Sequence, residues 1–493
     1  MQSNAVKPSY TNAALCRTEH RSNPIKRSFL KSGLLAALGV LSATSALGQF
    51  YDLQKWSWPD KTDHFCGNTR ISTSTTLNNS GALIYNTATL PANTGWLSWS
   101  QDGWQSGHYW WGLGVFVYGS DGVTINNTGT IQGLVSGTGS AQGIGILSFQ
   151  NGLVVTNWGT IDGQVQNYDG EAAGISTDAQ STTVVNHGTI SARSKFLARA
   201  INTQNRVSII NNGTIEAIAD GGTQGNTANR SKASAYVVGG NQPMYFENNG
   251  TVRCIATSST ATNQVELFNC WNDAPLMFKN TGLLYSENSS PYGHSQTAYY
   301  GAQSSDLVFY NSGTITNAAT DHNGLTLWYE NDGDRGDMIL HNTGTITSPG
   351  SDLLFLTGHW GPPGFLHTYY TNSGTFSGGQ MRFYGIPASI YESGTVHATL
   401  FGLSGNSDVH VMGLPTIDPT LECGGTGSTL EFNLIGTLQQ VNGSPASGTN
   451  LAAFTLGQSG NIVVSGKTYK WSGVGSGVTG IVNPGGTVPA PWS

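Results

Sequence analysis

Carboxylates are scarce in this 493-residue chain, 28 Asp and Glu in all, and they gather at one place. Glu330, Asp332, Asp334 and Asp337 fall within the segment Glu330-Asn-Asp-Gly-Asp-Arg-Gly-Asp337. Hard cations favour clustered carboxylate oxygens, so Asp332, Asp334 and Asp337 are the natural candidates to hold a Ca²⁺ ion. Two other segments carry groups able to join such a site: Trp271 with Asp273, and His359 with Trp360. Together these eight residues make a candidate ligand site, in which carboxylates take a cation or polar hydroxyls and the rings stack on a sugar. A solvated polar turn is the competing reading of the same residues.

No catalytic set stands out beside that cluster. Glycoside hydrolysis needs two carboxylates flanking the scissile bond, one of them a proton donor. The sequence has no adjacent Asp pair, and it lacks the Asn-Thr-Asp, Gly-His-Gly and Arg-Ile-Lys triplets of polygalacturonases. No Cys/His spacing points to zinc. Arg335-Gly-Asp337 spells an adhesion tripeptide of a length that arises readily by chance. Gly466-Lys-Thr468 fails as a phosphate-binding loop because Asn461 stands where its first glycine is required. His187 and His341, beside repeat asparagines, read as ordinary strand or bend residues.

The elements that must position the cluster are written in an internal repeat. It is anchored on Gly81, Gly129, Gly159, Gly188, Gly213, Gly250, Gly282, Gly313, Gly344, Gly374 and Gly394. Two residues before the glycine stands Asn in ten of eleven cases, with Glu392 the exception. Two residues after it and four before it the residue is always apolar, as in Ile209-Ile-Asn-Asn-Gly-Thr-Ile215. Offsets −4, −2 and +2 share one face of an extended chain, because side chains alternate across a strand. Each repeat is therefore a strand, a bend at Asn-x-Gly and a second strand. The bend calls for glycine through its tolerance of positive φ. A third strand follows, as in Gly143-Ile-Gly-Ile-Leu147 and Leu325-Thr-Leu-Trp328.

Such a unit buries its inner face only by stacking on its neighbours, at about 4.8 Å per coil. The expected fold is all-β: a single-stranded, right-handed parallel β-helix of about 11 coils. Its asparagines should stack into a ladder. A β-propeller would need about four strands per unit, and only three are visible. Stacking also brings the turns after consecutive third strands to one side, which would assemble Trp271, Asp273, Glu330, Asp332, Asp334, Asp337, His359 and Trp360.

Repeats of this type, exemplified by Val184-Val-Asn-His-Gly-Thr-Ile190, resemble the passenger domains of bacterial autotransporters and related secreted β-helix adhesins. The resemblance covers roughly residues 75–397. It implies a binding or structural role at a cell surface, with a surface glycan or a host or neighbour-cell component as partner. The membrane barrel that ends autotransporters has no counterpart before Ser493. The alternative function is a polysaccharide lyase or glycoside hydrolase built on the same scaffold.

The N-terminus points to export. Residues 1–48 have a basic stretch, the apolar run Leu34–Leu41 and the small-residue end Ala46-Leu-Gly48, the pattern of a secretory signal peptide. No later segment reads as a membrane span, so the expected location is secreted or on the outer surface of a Gram-negative-type bacterium. Without the leader, 15 basic and 27 acidic residues leave a net charge of −12. Nucleic acid is excluded as a partner on that balance. Of the cysteines beyond the leader (Cys66, Cys254, Cys270 and Cys423), Cys254 and Cys270 are the disulfide candidates, and four buried thiols are the competing reading. Residues 49–118 hold seven of the 13 tryptophans and read as an N-terminal cap with the first coil, with a carbohydrate platform as the other reading of those rings. Residues 119–397 carry the β-helix repeats, and 398–493, which lose the register, read as a C-terminal β-rich cap.

Overall fold

The computed structural model describes most of the backbone between residues 50 and 472 and most side chains between 67 and 398. Residues 1–49, 56–61, 87–107, 222–233, 332–336, 359–366 and 473–493 are among those outside the description. Among the described residues every element is a strand.

Each repeat folds as the pattern requires. In one coil the three strands are Leu153–Asn157, Thr160–Val165 and Glu171–Thr177. Every third strand of the chain joins the same sheet, giving three sheets of 15, 14 and 15 strands. We call the sheet whose strands end in the repeat Asn the first, the sheet after the glycine the second, and the remaining one the third. Stacking is parallel and in register, so that Ile131, Ile161 and Ile190 are direct neighbours. The chain is a parallel β-helix.

The inner faces supply the core. Ile125, Val155, Val184 and Ile209 of the first sheet, and Ile131, Ile161, Ile190 and Ile215 of the second, have no solvent exposure. Further along, Phe246, Phe278 and Phe309 occupy the first-sheet column, with ring centroids 5.2 and 4.6 Å apart and nearly parallel planes. Each buried side chain of this size contributes about 1.5–3 kcal/mol relative to an exposed one.

The asparagine ladder forms as expected. From Asn79 to Asn342, each Nδ2 donates to the Oδ1 of the next coil's Asn at 2.7–2.8 Å. The last rung is different. Asn372 donates at 2.7 Å to Oε1 of Glu392, which also accepts from Gly394 N at 2.9 Å, while Oε2 accepts from the Tyr370 hydroxyl at 3.0 Å. Glu392 is fully buried, and burial pushes its carboxyl up to about 8 against the lowering effect of these three donors.

The bend glycines are required for a reason other than the one expected. Positive φ occurs at Gly119, Gly122 and Gly152, and at none of the bend positions. A Cβ on Gly159 would instead lie 2.0 Å from the Gly129 carbonyl oxygen, and one on Gly213 2.2 Å from that of Gly188. From Gly129 onward the bends stack backbone on backbone, and any side chain there would part the coils. A second close approach joins the second and third sheets, where a Cβ on Gly133 would meet the Gly112 oxygen at 2.3 Å.

On the third sheet's early coils, Leu113, Phe116, Ile144 and Leu147 form a separate buried apolar cluster, against which Trp111, Tyr118 and Phe149 pack. Trp111 is the one tryptophan of the expected N-terminal cap whose side chain is described. That end closes with an antiparallel pair, Phe50–Lys55 on Thr62–Ile71. At the other end the coils outlast the Asn-x-Gly register: Leu400–Ser404, Asp408–Gly413 and Thr416–Ile417 extend the three sheets in parallel. The antiparallel closure there is Ser459–Val464 on Lys467–Ser472.

The disulfide expectation is corrected. Cys254 is a free, fully buried thiol whose Sγ donates to Ala235 O at 3.0 Å and lies 3.5 Å from Glu266 O. Cys270 is four residues past Glu266 on the strand Asn263–Asn272, about 13 Å along an extended chain. Disulfides span Cα separations of at most about 7 Å, so Cys254 faces the wrong part of that strand.

Candidate functional site

The backbone brings part of the expected cluster into line. Asn263–Asn272, Gly293–Ala302, Leu325–Asn331 and Asp352–Gly358 are consecutive strands of the third sheet. Trp271, Gly301, Glu330 and Thr357 share one register row. Trp271 and Glu330 are thus two strands apart, about 9.6 Å. The segments after these strands leave from equivalent positions, since Asn272, Ala302, Asn331 and Gly358 are also paired. Asp273, Asp332, Asp334, His359 and Trp360 lie outside the described residues, as do the side chains of Trp271 and Glu330.

Asp337 is described, and its carboxylate has work within the fold. Its Oδ1 accepts from His367 N of the next coil at 3.1 Å, while its own N donates to Asp306 Oδ1 at 2.8 Å. Asp121 accepts from Asn151 N in the same way at 2.9 Å. These aspartates fasten the entry of one first-sheet strand to the next. Of the three residues expected to bind Ca²⁺, Asp337 is therefore engaged by backbone, and Asp332 and Asp334 are outside the description. Among the described residues no three His, Cys, Asp or Glu side chains come together as a metal site.

A different feature emerges on the outer face of the first sheet. Offsets −4 and −2 from the bend glycine point inward, so −5 and −3 point out. In the later coils the −5 row reads Met277, Val308, Ile339, Tyr369 and Ser389. The −3 row reads Lys279, Tyr310, His341, Thr371 and Tyr391. Met277, Tyr310, Tyr369 and Tyr391 are 36–45% exposed, large for apolar or aromatic side chains on a rigid sheet.

The polar residues between them hold the rings in place. His367 Nε2 and Ser389 Oγ are 2.8 Å apart, and the His367 ring packs on Tyr369 at 4.4 Å between centroids. His341 Nδ1 pairs with the Thr371 hydroxyl, and its ring meets Tyr310 edge-on at 5.9 Å. From Val308 to Tyr391 the outward residues of both rows carry no carboxylate, ammonium or guanidinium group. Charge is found elsewhere. Lys279 pairs with Glu247 at the near edge of the face, and Arg253 pairs with Glu216 at 2.7 Å on the second sheet. Also on the second sheet, Asp162 accepts from Gln132, Gln164 and Ser191 at 2.6–2.7 Å.

This face offers flat aromatic surfaces and neutral hydrogen-bonding groups in one ordered strip. A smaller aromatic spot lies at earlier bends, where exposed Trp158 stacks on His187 at 5.5 Å. His341 is thus a strand residue, as read from the sequence, but one that belongs to the strip. The signal for the strip lay in the odd offsets, whereas the inward even offsets alone define the repeat. No protein-family model, curated protein or solved structure matches the chain.

Proposed function

We propose that this protein is an exported β-helix of adhesin or cell-surface type, one that binds or scaffolds and does not catalyse. The observation that carries the reading is the ordered, solvent-facing aromatic strip on the first sheet, centred on Tyr310, Tyr369 and Tyr391. Side chains of this kind are worth burying, and the fold leaves them on a sheet held rigid by the ladder beneath. The N-terminal leader pattern and the passenger-like repeats support export to a bacterial surface, with a surface glycan or a component of a host or neighbouring cell as partner. Incubating labelled protein with washed bacterial and host cells tests this: saturable binding is expected, and its absence for folded protein overturns the reading.

The second reading is a polysaccharide-active enzyme working at the turns that follow the third-sheet strands. Its support is the shared register row of Trp271 and Glu330. Reducing-end release across plant, algal and bacterial polysaccharides with Ca²⁺ present separates the two. Product that disappears in the triple variant Asp332→Asn, Asp334→Asn, Asp337→Asn would establish the enzyme and displace the adhesin.

A further inference from the structure

We infer that the aromatic strip of the first sheet is a docking platform for one extended, neutral polysaccharide chain. This rests on the binding reading above and assigns it a face and a ligand class.

Charge is the first argument. The strip from Val308 to Tyr391 presents tyrosine, imidazole and hydroxyl groups, with no carboxylate, ammonium or guanidinium in its two rows. The carboxylates of Asp306 and Asp337 at its edge accept backbone N–H groups of the next coil. An acidic polymer would find no cation along the strip to pair with, and a basic one no free row of carboxylates. A neutral sugar chain needs neither: its C–H faces lie on aromatic rings and its hydroxyls exchange hydrogen bonds with Thr, Ser and His.

Size is the second argument. Two outward rows across and four coils along give a strip on the order of 250 Å² at strand spacing. A stable protein–protein contact covers about 800 Å² per partner, so a second protein, including another copy of this chain, has too little surface here. A single polysaccharide chain has the right width. Coils repeat about every 4.8 Å, close to the advance per sugar of an extended pyranose chain, so equivalent positions meet successive sugars.

Pre-organisation is the third. Tyr369 is braced by His367, itself bonded to Ser389, and Tyr310 abuts His341, itself bonded to Thr371. Rings already held in place lose little freedom on binding, which is where weak flat sites otherwise forfeit affinity.

The test is native affinity electrophoresis of the full chain in gels containing dextran, mannan, xyloglucan or mixed-linkage glucan, with polygalacturonate and alginate as anionic comparisons. At least one neutral polymer should retard the protein, and added salt should leave that retardation unchanged. The triple variant Tyr310→Ala, Tyr369→Ala, Tyr391→Ala should bind at least about ten-fold more weakly, whereas Trp158→Ala should bind as wild type. All three changes are on the outer face and leave the ladder intact; if the triple variant fails to fold, Tyr369→Ala alone replaces it, with an expected loss of several-fold. The inference is overturned if folded protein ignores every neutral polymer, if only the anionic ones retard it, if the tyrosine variants bind as wild type, or if light scattering shows a wild-type dimer that the tyrosine variants dissociate. Cell binding that persists without neutral-glycan binding would sink this inference alone, whereas loss of both would sink the binding role itself.

Discussion

Glu392 ends the asparagine ladder with an ionisable group, and replacing it by Gln should change how stability depends on pH. In the unfolded chain its carboxyl titrates near 4.5, and burial in the fold raises it to about 8. A raised acid pKa means that the folded state keeps a proton which the unfolded state releases. Stability from this group is then fully present below about pH 4.5 and is lost as pH climbs through about 8. The two values differ by enough to weaken the fold by about 5 kcal/mol across that range. Glu392→Gln keeps the shape and an acceptor oxygen for Asn372 Nδ2 and Gly394 N, and removes the charge. The assay is denaturant unfolding of both proteins at pH 5, 7 and 9, with hydrogen exchange in residues 368–397 to follow the local coils, because a repeat fold need not unfold in one step. The variant should match wild type near pH 5 and exceed it increasingly toward pH 9. Parallel pH profiles would refute the reasoning, and would mean that the donors of Asn372, Gly394 and Tyr370 hold Glu392 ionised in the fold.

Three further outcomes are expected. Asn248→Ala takes the Asn280 Oδ1 donor and the shortest of three acceptors of Asn211 Nδ2, which keeps Gly213 O and Thr251 O, and should lower stability by about 1–3 kcal/mol in urea unfolding. Gly213→Ala should strongly destabilise the stack, because its Cβ would sit 2.2 Å from the Gly188 oxygen, while Gly81→Ala, with open space around its Cβ, should leave the melting temperature nearly unchanged. Equal effects would refute the close-approach argument. Cys254 should resist maleimide in the folded protein and react once unfolded, and a Cys254–Cys270 cross-linked peptide from a non-reducing digest would contradict the free thiol.

Much of the fold was legible because its determinants are local and repeated. The even offsets around each bend glycine state the inward face eleven times over, and in-register stacking turns each Asn into a rung. Cys254 and the end of the register were not legible in the same way. Which backbone faces a thiol depends on where a neighbouring strand passes, and the coils after Glu392 continue on strand pairing without the Asn-x-Gly signature. The acidic turn was visible as composition, but composition could not say that Asp337 would be taken up by the next coil's backbone.

By itself the sequence determined the strand–bend–strand unit, its inward apolar columns and the asparagine ladder, because side-chain alternation and burial are set within a few residues. The tertiary structure alone decided why the bend glycines from Gly129 onward are indispensable, since their constraint is the carbonyl of the coil below and not their own φ. It also decided where the exposed aromatic strip is. Tyr310, Tyr369 and Tyr391 are 22–81 residues apart in the chain and become one surface only when stacking sets their strands about 4.8 Å apart.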